Sequence, residues 1–342
     1  MRAAFFEEHG GPDVMKVDDR PDPRAGPGQV VVRVEAVALN HLDLWVRRGL
    51  PGLDVDLPFI GGSDVAGFVE EVGEGVDGWE TGDRVIVNPG LWCGRCEWCA
   101  RGEHSLCDEY GILGEHVDGG AAERVAVPAR NLFEIPEDFP YEEAAAVPLV
   151  FQTAWRALKT RAGLRAGESV LITGASGGVS TAAVQIARLS GARVFAVTSG
   201  PDKVERVREL GADVVIDRME EDFSSVVWEE TGKRGVDVVL DSVGEAIWED
   251  CVRCLAKRGR LVTYGATTGP DGALDIRRMF WKQIEVMGST MGGQAEFEEV
   301  MGLVFSGRLE PVIDVAWPLE RIADAHERLE AGEQFGKVVL IP

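Results

Sequence analysis

Residues 28–39, GQVVVRVEAVAL, are rich in valine with partial alternation of apolar and polar positions, a pattern that predicts a β-strand. Gly and Pro recur around it in HGGP, RPDPRAGPG, GLPGL, PFIGG, EVGEGVDG and GDRV. Short strands between such turns predict a compact β-barrel-like first domain. The texture changes after about residue 150. From Ser169 onward six apolar runs read as strands: SVLITG (169–174), RVFAVTS (193–199), DVVID (213–217), VDVVLDSVG (236–244), RLVTYGA (260–266) and IEVMGST (284–290). Helix-period segments lie between several of them, and that alternation predicts a parallel sheet with crossover helices. The closing FGKVVLIP reads as a strand with no helix after it, expected to return to the first domain.

The run SVLIT leads straight into GASGGVS (174–180), and then Val179, Ala183, Ile186 and Ala187 share one helical face. A strand, a Gly-rich turn and a helix make a dinucleotide site: small residues let backbone approach a pyrophosphate, which sits on the unpaired N–H groups of the helix start. Gly174, Ala175, Ser176, Gly177, Gly178 and Val179 are the expected cradle. Ser180 stands where close helix–strand packing usually wants Gly. The second strand ends in Thr198 and Ser199 with Lys203 shortly after, rather than in the carboxylate that holds an NAD ribose. Hydroxyls and a cation suit a 2′-phosphate, so NADP(H) is the expected cofactor, although Asp202 works against it. Ser242 and Gly244 after the fourth strand, and Gly265 and Ala266 after the fifth, are expected to line the cofactor site.

Four of the six cysteines fall in LWCGRCEWCARGEHSLC (91–107). Cys93, Cys96, Cys99 and Cys107 supply the four thiolates of a closed tetrahedral zinc site, which leaves no position for water or substrate and is therefore structural. Disulfides or free thiols are the other readings; disulfides fit a reducing compartment poorly. Cys251 and Cys254 lie in a helix-like segment and are expected to be buried.

Charge narrows the partners. With 35 basic and 58 acidic residues the net charge is −23, which repels nucleic acid and anionic membranes. Only seven of the cations are Lys. Such a surface suits a cytoplasm of high salt, where screening over about 3 Å at 1 M quiets self-repulsion. No apolar run reaches membrane-spanning length, and MRAAFFEEHGG lacks a signal-peptide core, so a cytoplasmic enzyme is expected.

Together, NHLDLWVRRGLPG (40–52), GGSDVAGFVEEVGEGVDGWETGDRV (61–85), the cysteine lobe, the GASGGVS loop and FGKVVL resemble the medium-chain dehydrogenase/reductase superfamily, whose members include zinc alcohol dehydrogenases and quinone reductases. The resemblance spans nearly the whole chain. It implies a GroES-like catalytic domain (1–150 and 294–342) interrupted by a Rossmann domain (151–293), sheet order 3-2-1-4-5-6, substrate between the domains, and a homodimer or homotetramer. Alcohol-oxidising members carry a catalytic zinc, and ungapped placement of its ligand positions gives Asn40, Ser63 and Leu149, a poor donor set. The quinone reductase branch carries an N-x-x-D arrangement, as Asn40 and Asp43 do, and works without a catalytic metal.

The expected activity is therefore hydride transfer from NADPH to a quinone or an α,β-unsaturated carbonyl. Asn40 is the candidate donor to a developing oxyanion, Asp43 an orienting group, and His41 a pyrophosphate contact or proton donor. Ser63 and Asp64 occupy the metal-segment position, with Arg47 a conceivable partner for Asp64. Lys337 follows the resemblance toward the cofactor, and His116 lies in a loop that can approach the site. Trp45, Trp92, Trp98, Trp155, Trp281 and Phe280 are expected to pack in the core or the cysteine lobe. Two rivals stand beside this reading: an alcohol or polyol dehydrogenase with an atypical metal held by some of His41, Asp43, Asp64 and His116, and a nucleotide-binding protein without catalysis.

Overall fold

The computed structural model describes residues 1–342, which form two compact units, Met1–Leu149 with Gly292–Pro342, and Val150–Met291.

In the first unit a seven-stranded sheet is centred on the valine-rich strand Gln29–Ala38. It pairs antiparallel with Asp64–Val72, with Arg124–Pro128 and with the terminal strand Lys337–Ile341. The apolar alternation places Val30, Val32, Val34 and Val37 against Val65, Val69, Val85, Val125, Val127, Val338 and Leu340 in one buried cluster. Each side chain of this size contributes roughly 1.5–3 kcal/mol on full burial. Register then builds the site. Ala38 lies opposite Asp64, and Val339 lies opposite Ala38 from the other side. Three distant pieces of chain are thereby brought to the carboxyl end of one strand. Residues just beyond those pairs, Asn40, Ser63 and Lys337, gather there.

The second unit is a parallel six-stranded sheet. Its strands are β1 (Ser169–Ile172), β2 (Arg193–Thr198), β3 (Val214–Asp217), β4 (Val236–Asp241), β5 (Leu255–Thr263) and β6 (Glu285–Gly288), in the order β3-β2-β1-β4-β5-β6. This is the expected 3-2-1-4-5-6 Rossmann arrangement. Val170, Leu171 and Ile172 of β1 are fully buried, which explains an uninterrupted apolar run in place of alternation. Cys251 and Cys254 are buried on the helix Trp248–Cys254.

The boundaries of β4 and β5 differ from the sequence reading for local reasons. β4 stops at Asp241, whose carboxylate accepts the N–H groups of Val243 and Gly244 and turns the chain. β5 begins at Leu255 and crosses a register shift, with Arg258 in the left-handed region (φ 60°), before pairing along β4. It ends at Thr263, because the N–H groups of Thr267 and Thr268 bond instead to Ser242 and Val243. The aromatic expectation also needs correction. Trp92 and Trp155 are buried, but Phe280 and Trp281 are 64% and 78% exposed on the helix Ile276–Lys282. Ile276 on the same helix is 75% exposed as well, so the apolar residues of this short helix are left largely uncovered.

Candidate active site and cofactor site

The carboxyl ends of β1, β2, β4 and β5 gather most of the residues expected to bind cofactor. After β1 the chain turns through Gly174 (φ 56°), a conformation that favours glycine, into the helix Gly178–Leu189. Its N-cap is Gly177, which has no side chain to satisfy the orphan N–H groups of the first turn, so those donors remain for an anion. Gly265 packs on Ser242, where an added Cβ would lie 3.3 Å from the Ser242 Cβ, and Gly244 packs on Ala266 in the same way at 3.0 Å from its Cα. This cluster lies where strand order reverses between β1 and β4, the usual ligand crevice of such sheets.

Polar residues outside the glycine pattern hold these loops. Ser180 Oγ donates to the Thr173 carbonyl at 2.9 Å and lies 3.1 Å from the hydroxyl of Tyr264, which is then the donor. Thr173 Oγ1 donates to Asp241 Oδ1 at 2.6 Å. Sequence reasoning missed Thr173, Tyr264 and Asp241, whose partners lie far away in the sequence. At the tip of β2, Thr198 is buried with its hydroxyl unpartnered, while Ser199 and Lys203 are half-buried. A carboxylate does stand beside this tip. It is Asp217, from the end of β3, and it accepts the N–H of Gly200 at 3.1 Å and that of Met219 at 3.0 Å.

The first unit holds a buried polar cluster. Asp64 is fully buried and both its carboxylate oxygens are engaged: Oδ1 accepts the Leu149 N–H at 2.8 Å, and Oδ2 accepts Asn40 Nδ2 at 3.0 Å and Lys337 Nζ at 2.8 Å. Lys337, 3% exposed, also donates to Asn40 Oδ1 at 2.5 Å. Two expectations are corrected here. The partner of Asp64 is Lys337 and not Arg47, which is bound to Glu330 and His326. The Asn40 amide is engaged by Lys337 and Asp64, with the Ala38 carbonyl at 3.5 Å, rather than open to a substrate. Ser63 is fully buried, and its hydroxyl has no partner.

Asp43 orients its neighbours. Its Oδ2 accepts the Asn40 N–H at 2.7 Å, capping the helix His41–Arg48, and its Oδ1 accepts the Gly62 N–H at 2.8 Å, fixing the turn before Ser63. Burial pushes its pKa up to about 6. His41 stands on the same helix, edge-on to Trp45 at 6.1 Å, with a pKa lowered by burial and by Arg48. His116 braces its own loop: Nδ1 accepts the Ile112 N–H at 3.1 Å.

The cysteine lobe closes as its spacing predicts. The four sulfurs of Cys93, Cys96, Cys99 and Cys107 lie within 4.8 Å of one another, with Cys96 to Cys99 at 3.6 Å and Cys93 to Cys99 at 4.0 Å. Tetrahedral zinc with bonds of about 2.3 Å separates its sulfurs by about 3.8 Å. The donor set and its size fit the ion.

Comparison with known proteins agrees with this architecture. Residues 26–137 match the family described as alcohol dehydrogenase GroES-like domain, and residues 178–306 match zinc-binding dehydrogenase. An acryloyl-coenzyme A reductase of Sulfurisphaera tokodaii is 33% identical over 331 residues, 96% of each chain. The crystal structure of an NAD-dependent alcohol dehydrogenase is 44% identical and superposes with a TM-score of 0.96 over all of both chains. A cobalt- and zinc-bound thermostable alcohol dehydrogenase from Pyrobaculum aerophilum is 37% identical, with a TM-score of 0.91 over 100% of this chain and 99% of the other. The chain is a medium-chain dehydrogenase/reductase.

A medium-chain dehydrogenase/reductase of the alcohol-oxidising kind implies a second, catalytic zinc, and the residues here do not fit one. The positions that ungapped placement of the sequence assigns to its ligands, Asn40, Ser63 and Leu149, bring an amide, a neutral hydroxyl and an apolar side chain. The one carboxylate nearby, Asp64, has both oxygens occupied, one of them by an ammonium. His41 and His116 take no part in the cluster. The cofactor loop, by contrast, fits a dinucleotide through its uncapped helix start and its closely packed glycines.

Proposed function

We propose that this oxidoreductase transfers hydride from NADPH to an α,β-unsaturated carbonyl or quinone without a catalytic metal. The observation that carries the reading is the Asp64 carboxylate, whose two oxygens are engaged by Leu149, Asn40 and the Lys337 ammonium where an alcohol dehydrogenase needs open ligands. The acryloyl-coenzyme A reductase relative supports an electron-poor alkene as acceptor. NADPH, when bound, supplies the hydride. The loop Gly174–Val179 and the first turn of its helix hold the pyrophosphate; Thr198, Ser199 and Lys203 favour a 2′-phosphate, and Asp217 opposes it less because backbone N–H groups occupy it.

When hydride adds to the β-carbon, two electrons enter the conjugated system and negative charge moves to the carbonyl oxygen. This chain answers with the Lys337 cation, which retains one N–H beyond those given to Asn40 and Asp64, and with the unpartnered Ser63 hydroxyl. Solvent supplies the proton that completes the reduction. Zinc in the cysteine lobe braces the first unit and leaves no ligand position for substrate.

No helix is long and apolar enough to cross a membrane. A cytoplasmic enzyme acting on small molecules is part of the proposal. Self-association is part of the proposal. Ile276, Phe280 and Trp281 are 75%, 64% and 78% exposed beside Arg277 and Arg278, and the next strand, β6, is a free sheet edge. An apolar, locally cationic face on a chain of net charge −23 suits a second copy of that chain. No nucleic acid is expected as partner, for the same electrostatic reason.

The test is turnover of NADPH and NADH with enones, enoyl thioesters, quinones and simple alcohols, with and without a chelator. Chelator-resistant NADPH oxidation by an enone or quinone is expected. Chelator-sensitive alcohol oxidation would overturn the reading in favour of an atypical metal site, and cofactor binding without turnover would favour a non-catalytic protein.

A further inference from the structure

We infer that the ammonium of Lys337 is a tethered cation standing in the position where zinc alcohol dehydrogenases hold their metal, and that it excludes a divalent ion from this site. The inference rests on the metal-free reading above and goes beyond it, since poor donors alone leave a site empty whereas a resident cation closes it. Fold and spacing carry the first step. Of the positions that ungapped placement of the sequence gives the metal ligands, two meet at one group: Asn40 Nδ2 and the Leu149 N–H both reach the Asp64 carboxylate, and Ser63 precedes Asp64 in the chain.

Occupancy carries the second step. A hard cation entering here would seek the two nearest oxygens, Asn40 Oδ1 and Asp64 Oδ2. Both already accept from Lys337 Nζ, at 2.5 and 2.8 Å. The ammonium is put there by strand register, since the terminal strand runs antiparallel to Gln29–Ala38 with Val339 opposite Ala38. It is also held electrostatically, because its departure would leave a fully buried Asp64 carboxylate uncompensated. A divalent ion would have to displace a covalently anchored charge of the same sign.

The experiment is a metal count on the full-length chain equilibrated with Co2+, read by elemental analysis and by the absorption spectrum, in which a tetrathiolate site gives intense sulfur-to-metal bands and an oxygen site only weak ones. Wild type and Lys337→Arg are expected to hold one ion per chain with the tetrathiolate signature. Lys337→Met is expected to take a second, oxygen-ligated ion, at Co2+ concentrations at least tenfold below any that load a second site in wild type. Adding Asp64→Asn to that variant should abolish the second ion. Lys337→Gln, which keeps an N–H donor for Asp64, serves the same test if the Met variant does not fold. A Met or Gln variant that folds and stays at one ion overturns the inference alone and leaves metal-free hydride transfer standing. A second, oxygen-ligated ion in wild type at the Co2+ concentrations that load the Met variant overturns both.

Discussion

Arg47 donates from Nη1 to His326 Nδ1 across 2.9 Å inside the first unit, with the guanidinium fully buried and the imidazole 3% exposed. An arginine cannot accept, so the His326 proton sits on Nε2 and the ring is neutral. Burial and the Arg47 charge push its pKa down from 6.5 to about 3. The Glu330 carboxylate accepts from Arg47 and also from Arg48.

That pair and Asp43 set opposite slopes in acid. As pH falls below 6.5 the unfolded chain protonates His326 and the folded chain does not, so stability is lost until about pH 3. Asp43, raised from 3.8 to about 6, protonates first in the folded chain, so its contribution grows as pH falls through that window. Between pH 6 and about 4 the two terms offset one another. His326→Gln should therefore gain stability relative to wild type as pH falls across this range, and Asp43→Asn should lose it, each with a relative slope of about 1.4 kcal/mol per pH unit. Urea midpoints measured from pH 7 to 4 check this, and parallel curves for all three proteins would refute it.

The hydroxyl pair Ser180–Tyr264 makes a second prediction. Tyr264 ties the end of β5 to the helix that starts at the glycine loop, through a serine where a glycine is more usual. Tyr264→Phe removes one neutral hydrogen bond and should cost about 1 kcal/mol of stability. The looser loop should also weaken NADPH binding several-fold in calorimetry. Ser180→Gly should weaken it similarly, and the double variant should be no worse than either single one, because both act through one contact. Additive losses would separate the two residues.

Local pattern made the sheet legible and long-range polar pairing invisible. Val170, Leu171 and Ile172 announce a buried strand in their own residues, and Cys93 to Cys107 announce their shared site in their spacing. Lys337 and Asn40, by contrast, are 297 residues apart and meet only through the register of the terminal strand. Nothing in periodicity tells that Lys337 turns to Asp64 while Arg47 turns to His326. The same limit applied to Asp241, whose role as the cap that ends β4 depends on Thr173 in a neighbouring strand. Trp281 was misjudged for a different reason: aromatic residues are buried on average, but nothing in the chain covers this one.

Glycine substitutions separate strain from close approach. Gly62 has φ 90° in the turn held by Asp43, and a Cβ there would sit 2.8 Å from Val37 Cγ2 and 2.9 Å from the Ala121 nitrogen. Gly75 has a similar φ of 75° with nothing within 4 Å. Gly75→Ala should cost only the conformational penalty, about 1 kcal/mol. Gly62→Ala should cost at least about 2 kcal/mol, since backbone must also move. Equal midpoints for the two variants would show that the turn before Ser63 is looser than its packing indicates.

Cofactor choice should respond to a single charge at the tip of β2. Ser199→Asp places a carboxylate where a 2′-phosphate would lie and where a ribose diol would accept it. The ratio of kcat/KM for NADPH to that for NADH is expected to fall by at least tenfold, chiefly through KM for NADPH. Lys203→Ala should lower the same ratio less. Unchanged ratios in both variants would locate the determinant elsewhere.

The exposed helix Ile276–Lys282 offers the last prediction. If a second copy covers Phe280 and Trp281, wild type should sediment as a dimer or larger species. The double variant Phe280→Glu with Trp281→Glu should then release monomer, because two carboxylates in an apolar interface between chains of net charge −23 add desolvation to repulsion. These side chains are exposed and contribute little to the core of their own unit, so the thermal midpoint at high dilution should be nearly the same for both proteins. Added salt should strengthen association in wild type by screening the long-range repulsion while leaving the apolar contact intact. A wild-type chain that remains monomeric at micromolar concentration in both low and high salt would leave this face without the partner proposed for it.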